Sequence, residues 1–139
     1  MELIGRLHPL LIHFPIALVI AAVAAEAGAM ITRDACWRQV GITNVRAGAL
    51  FAVLAVLAGW SFAPAGAVDP SVLLQWHRWV GTTAAILSVT AAMAAGGAGR
   101  NAARARLVYR LALLGAGVLV GITGHLGGLL VWGTVILRP

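Results

Sequence analysis

The sequence predicts an all-α integral membrane fold, a four-helix bundle running antiparallel up-down-up-down as a single transmembrane domain over residues 1–139. Three observations predict it. The chain is 61% hydrophobic and only 10% charged, with a mean hydropathy of +0.96, whereas a water-soluble domain carries roughly 25% charged residues. Its apolar residues form runs approaching the ~20 needed to cross a bilayer, not short patches of core size. The connections between these runs are short, which makes neighbouring helices antiparallel.

The four runs cover approximately 10–31, 45–62, 72–95 and 107–137. The first opens with Pro9 and Pro15, whose missing N–H groups cost little in a first helical turn; Pro15 also loosens the turns near His13. Ala25-Glu26-Ala27 imitates a signal-peptide cleavage site. However, prolines stand where a basic n-region is expected, so the first helix is predicted to remain. Glu26 sits about 24 Å from Leu10 by helix rise, at the far end of that helix. An acid there is costly unless paired or hydrated, and Arg46 or Arg110 is the expected partner.

The first connection, Thr32 to Asn44, carries Arg33, Asp34 and Arg38. The second, Ala63 to Ser71, carries Pro64, Asp69 and Pro70, and the third, Gly96 to Arg106, is rich in glycine and arginine. The last run is the longest and is expected to tilt or to project beyond the lipid.

All ten basic residues are arginines. Arg33, Arg38 and Arg46 flank the first connection and Arg100, Arg104, Arg106 and Arg110 the third, while Arg78 alone flanks the second and Arg6 and Arg138 the termini. The positive-inside rule then places both termini and the second connection on the periplasmic side of a bacterial inner membrane. The pI of about 11.6 is therefore a topology signal that also suits anionic lipid headgroups, and no nucleic-acid partner is expected. Trp60, Trp76, Trp79 and Trp132 fall at the same outer level as interfacial anchors, with Trp37 and Tyr109 at the inner one.

The four histidines carry the functional signal. His8 and His13 open the first helix and His77 the third. His125 lies about 27 Å beyond Leu107 by helix rise, which returns it to the outer side, so three helices deliver imidazoles to one layer. Glycines surround them: Gly81 one turn after His77, and Gly121, Gly124 and Gly128 around His125. Such glycines clear space for a flat cofactor, or they mark close helix packing. No carboxylate-rich set accompanies the layer, since of Glu2, Glu26, Asp34 and Asp69 only Glu2 and Asp69 are on the outer side. Cys36 is single and at the inner end, so it forms no internal disulfide and cannot join the histidines.

A histidine-only donor set in a helical bundle suits haem b, with two axial imidazoles from facing helices. His77 and His125 are the preferred pair and His13 the next ligand. His8 and His13, five apart and separated by Pro9, do not share a helical face and suit different tasks, such as a ligand and a propionate or quinone contact. Copper or zinc on the same histidines is the alternative metal, and rings hydrogen-bonded to backbone without any cofactor are the third reading.

The segments Leu7-His8-Pro9-Leu10-Leu11-Ile12-His13-Phe14-Pro15-Ile16-Ala17-Leu18, His77-Arg78-Trp79-Val80-Gly81 and Gly124-His125-Leu126-Gly127-Gly128 resemble a family of small bacterial membrane proteins of unknown function. The resemblance spans nearly the whole chain. It implies a four-helix membrane domain, sometimes joined to c-type cytochrome or Rieske iron–sulfur modules, and no assigned reaction.

Taken together, these readings predict a haem-binding electron-transfer subunit that links quinol to a periplasmic redox partner. That partner is a cytochrome c, a Rieske-type protein or a larger membrane complex. The alternatives are a metal-binding membrane protein and a structural or assembly subunit, and a homo-oligomer is compatible with each. The sequence has no Ser/His/Asp set, phosphate-binding glycine loop or CxxC, so catalysis by the chain alone is not expected.

Overall fold

The computed structural model describes residues 7–62, 71–96 and 102–133. The second connection up to Pro70, with Pro64 and Asp69, lies outside the described residues, as do Glu2, Arg6, Arg100, Leu137 and Arg138. Nearly all of the described residues are helical, with α1 at His8–Leu11, α2 at His13–Thr32, α3 at Ala35–Phe62, α4 at Val72–Gly96 and α5 at Ala102–Trp132. Together α1 and α2 make the first of four spans long and apolar enough to cross a membrane.

The interruption between α1 and α2 is local and has a covalent cause. Ile12 keeps a right-handed helical conformation (φ −62°, ψ −27°), and its N–H still bonds the His8 carbonyl at 3.1 Å. Pro15 has no N–H to offer the carbonyl of Leu11, and the next bond, Ile16 N–H to Ile12 O, is long at 3.4 Å.

The first connection is far shorter than hydropathy predicts, because α3 begins at Ala35 rather than near Val45. Arg33 takes the left-handed conformation (φ 59°) that ends α2. The Asp34 carboxylate then accepts the Cys36 N–H at 2.8 Å, capping α3. Arg38, Gln39, Asn44 and Arg46 are thus helical, and the helix continues past the lipid core into the polar boundary. α5 does the same at its start, beginning at Ala102 rather than near Leu107.

The spans pack in a ring in which each touches the next in sequence and the first also touches the fourth. Small residues line the contacts: Ala22, Ala25 and Ala29 on α2, Ala49, Ala52, Ala55 and Ala58 on α3, Ala84, Ala85 and Ala91 on α4, and Ala112 and Ala116 on α5 are all buried. Lipid is as apolar as leucine, so membrane helices associate through close backbone approach and not through burial of large side chains. The larger residues point outward, among them Leu50, Ile86, Met93 and Leu111. Only 22–33% of each span's most apolar window is buried, so the apolar surface far exceeds the core and its solvent is the bilayer.

This ring has two distinct ends. One gathers His8, His77, Trp60 and Trp79, and the other gathers Glu26, Arg38, Tyr109 and Arg110. About 27 Å of helix separates His8 from Glu26, close to a hydrocarbon thickness of ~30 Å. Between them the core is apolar at Val19, Ala22, Val45, Ala84, Leu113 and Ala116, and the Ser88 hydroxyl is satisfied by the Ala84 carbonyl at 2.8 Å.

Candidate functional site

The structure brings His8 and His77 together. Their ring centres are 6.2 Å apart with planes at 89°, one ring from the start of the first span and one from the start of the third. Each is oriented by a backbone carbonyl of a different helix. His8 Nδ1–H donates to the carbonyl of Ala55 at 2.8 Å, and His77 Nδ1–H donates to that of Thr123 at 3.1 Å. A carbonyl only accepts, so both rings carry their proton on Nδ1 and leave an unprotonated Nε2 lone pair when neutral.

The same local device makes both contacts. In each case the residue four places beyond the bonded carbonyl is a glycine: Gly59 after Ala55 and Gly127 after Thr123. A Cβ at Gly59 would sit 2.8 Å from His8 Cε1, and one at Gly127 would sit 3.1 Å from His77 Cε1. The missing side chains are what let an imidazole reach a carbonyl already used by its own helix. Thr123 adds a second fit, its Cγ2 lying 3.1 Å from where a Cβ on Gly81 would be.

Aromatic packing holds α3 against α4 at this end. Trp60 and Trp79 meet edge to face at 5.6 Å, the Arg78 guanidinium stands 4.6 Å above the Trp60 ring, and Trp60 Nε1–H donates to the Thr82 hydroxyl at 3.2 Å. Phe14 stacks on Phe51 at 4.6 Å, fixing the first span to the second about 9 Å below His8 by helix rise. These contacts brace the helices that carry the two histidines.

His13 and His125 do not join this pair. Both are exposed on the outside of the bundle, and neither ring has a hydrogen-bond partner among the described residues. Of the glycines expected to border a cofactor, Gly81 receives Thr123 and Gly124 receives Ile16 at 3.6 Å, whereas Gly121 and Gly128 face open space. Among the described residues no three histidine, cysteine or carboxylate side chains converge on one point that could hold a metal ion.

A sequence model of the DUF2231 family, described as a predicted membrane protein, matches residues 6–137. The chain belongs to the DUF2231 family. No curated protein and no solved structure matches it. The match runs from before the first histidine to beyond the fourth, so all four imidazoles of this DUF2231 chain lie inside the family region.

The opposite end of the DUF2231 bundle is built on one buried acid. Glu26 is 3% exposed and accepts a 2.7 Å charged hydrogen bond from Arg110 Nε, with Arg38 Nε 4.0 Å from its other oxygen. The partners thus come from α3 and α5, and of the two expected, Arg110 takes the role. Arg46 lies instead beside the end of α4, with Nη2 3.5 Å from where a Cβ on Gly96 would be. Tyr109 is not an interfacial anchor. It is 3% exposed, turned into the bundle at this layer with its hydroxyl unbonded among the described residues. The cluster ties three spans together, and among the described residues no carboxylate lies at the histidine end.

Proposed function

We propose that this protein is a haem-binding electron-transfer subunit of the bacterial inner membrane, in which His8 and His77 would hold the haem near the periplasmic face. One observation carries the proposal: two imidazoles from different spans lie edge to face with ring centres 6.2 Å apart, each oriented through Nδ1–H on a backbone carbonyl and each with Nε2 left as a lone pair. That second hydrogen bond is the usual support of a metal-bound histidine, since it fixes the tautomer and raises ligand basicity. Ring centres 6.2 Å apart would let both imidazoles reach one bound metal.

Two donors suit an iron whose other four positions belong to a porphyrin better than they suit a copper or zinc site built from protein alone, which takes three or four. The haem would supply one-electron chemistry. The chain's residues would hold it, set its tautomer-locked ligands and exclude water through the Trp60, Trp79 and Phe14 packing. Quinol in the membrane as donor and a periplasmic cytochrome c or Rieske-type protein as acceptor fit the resemblance to proteins joined to such modules. The same two hydrogen bonds favour a second reading, in which the rings are cofactor-free pins between helices.

A reduced-minus-oxidised visible spectrum of protein purified after expression with haem separates the two readings. The haem reading expects a Soret shift and an alpha band that disappear in both His8→Ala and His77→Ala and persist in His125→Ala. A featureless spectrum from folded protein leaves the pins.

A further inference from the structure

We infer that the outward seam between α2 and α5 binds the head and tail of a lipid-soluble quinone, with His13 and His125 addressing the ring oxygens. The seam is an apolar groove lined by Ile20 and Val23 of α2 and by Leu114, Gly117 and Val118 of α5. It opens toward lipid, the only direction from which a prenyl tail can enter. The inference rests on the redox reading above for the choice of a quinone over another lipid.

Helical spacing leads both unexplained histidines to the mouth of this groove. His13, Ile16, Ile20 and Val23 follow one another at intervals of three and four and so form one stripe on α2. Leu114, Val118, Gly121 and His125 do the same on α5. Register puts the stripes side by side. Ile16 meets Gly124, and Val23 meets Gly117; in each pair the residue numbers sum to 140, as an antiparallel pair requires. By that register His13 is level with Gly127, two residues from His125, or about 3 Å of rise. Two exposed imidazoles therefore stand at nearly one depth on the two walls of one groove.

Their chemistry fits a quinone ring. Each neutral imidazole both donates and accepts one hydrogen bond, which matches a quinone carbonyl or a quinol hydroxyl equally. Side chains tilt toward the start of their own helix, so His13 leans outward and His125 inward, and the pair brackets a ring with oxygens at opposite edges. Gly121, with open space at its Cβ position, leaves a flat shelf between the rings and the groove. An anionic phospholipid head would be drawn instead to arginine, and the arginines of this bundle cluster at the other end.

The test is photolabelling of the full chain in phosphatidylcholine nanodiscs with an azido-quinone, competed by short-tailed ubiquinone. The inference expects label in the peptides holding His13–Val23 and Leu114–His125, and about tenfold weaker competition in His13→Ala or His125→Ala, the effect of one lost hydrogen bond. Gly121→Leu, placed where nothing opposes it, should fold normally and abolish labelling by filling the shelf. Label elsewhere, unchanged competition in all three variants, or equal displacement by phosphatidylglycerol overturns it. Haem and quinone readings fail separately: His8→Ala and His77→Ala report on haem by absorbance, and the labelling needs no haem.

Discussion

At the scale of single residues, glycines decide where the histidines go. A methyl at position 59 or 127 would press on the His8 or His77 ring at 2.8 or 3.1 Å, so Gly59→Ala and Gly127→Ala should each break a ring-to-carbonyl bond. The steric cost of about 1–3 kcal/mol exceeds the 0.5–1 kcal/mol that alanine gains over glycine in a helix. Gly121→Ala and Gly128→Ala, facing open space, should keep only the gain. Thermal midpoints in detergent should therefore fall for the first pair and stay level or rise for the second; equal shifts in all four would remove the access role. The histidines themselves were legible in the sequence as one layer, but their pairing was not. Depth along a helix follows from counting residues, whereas the choice of His8 over His125 as neighbour of His77 depends on which way each span is rotated. The outward-facing His125 and the glycines at 59 and 127 are consequences of that rotation. A glycine four places beyond a carbonyl was the available signal, and it is visible only once the facing histidine is known. Glu26 was more legible, since an acid inside a span beside an arginine-rich layer has few partners; Arg110 was one of the two expected, and Arg38 was not. Removing its charge in Glu26→Gln leaves Arg110 facing a neutral amide. A stability loss of about 2 kcal/mol is expected, below the ~3–5 kcal/mol of fully buried pairs because both arginines are about one-third exposed. Tyr109→Phe removes a hydroxyl that has no partner among the described residues and should be neutral or stabilising.

Among the elements, hydropathy located the spans and missed their ends, for a physical reason. A hydropathy run stops where lipid stops, but a helix stops where its backbone finds a cap. Ala35 to Asn44 includes Arg38, Gln39 and Asn44, which belong at the headgroup level, yet the chain remains helical there because Asp34 caps the new helix directly after Arg33 closes the old one. Asp34→Ala should cost about 1 kcal/mol, the usual worth of an N-cap, and should speed amide exchange over Ala35–Arg38. Unchanged exchange there would mean that contacts with Glu26, not the cap, hold the start of α3. At the other end the prolines were legible as helix-start residues, and Pro15 does interrupt the first span, since Leu11 loses its bond while Ile12 keeps helical dihedrals. The break leaves α1 a single turn, held to α3 through His8 on Ala55. Pro15→Ala supplies the missing N–H, and continuous protection from Ile12 through Val19 in hydrogen exchange is the expected result.

For the whole molecule, the two ends have opposite chemistry and the bundle keeps them apart. The histidine end is aromatic and nearly neutral, with Arg78 sequestered over Trp60. The other end carries Arg33, Arg38, Arg46, Arg104, Arg106 and Arg110 against Glu26 and Asp34. With an apolar core between the layers, a proton exchanged at the histidines has, among the described residues, no titratable side chain to pass through before Glu26. Proton traffic at a redox centre there would stay on the histidine side. The proposed periplasmic placement of the histidine end rests on the arginines, because polybasic ends tend to remain in the cytoplasm during insertion. A probe already exists in the native chain. Cys36, the only cysteine, is exposed at the arginine end, two residues past Asp34 in the tightest connection of the described structure. A membrane-impermeant maleimide added to intact sphaeroplasts should leave it unlabelled, and permeabilising the membrane should label it fully. Labelling before permeabilisation would turn the bundle over, placing His8 and His77 on the cytoplasmic face and excluding a periplasmic electron acceptor while leaving the ligand geometry untouched.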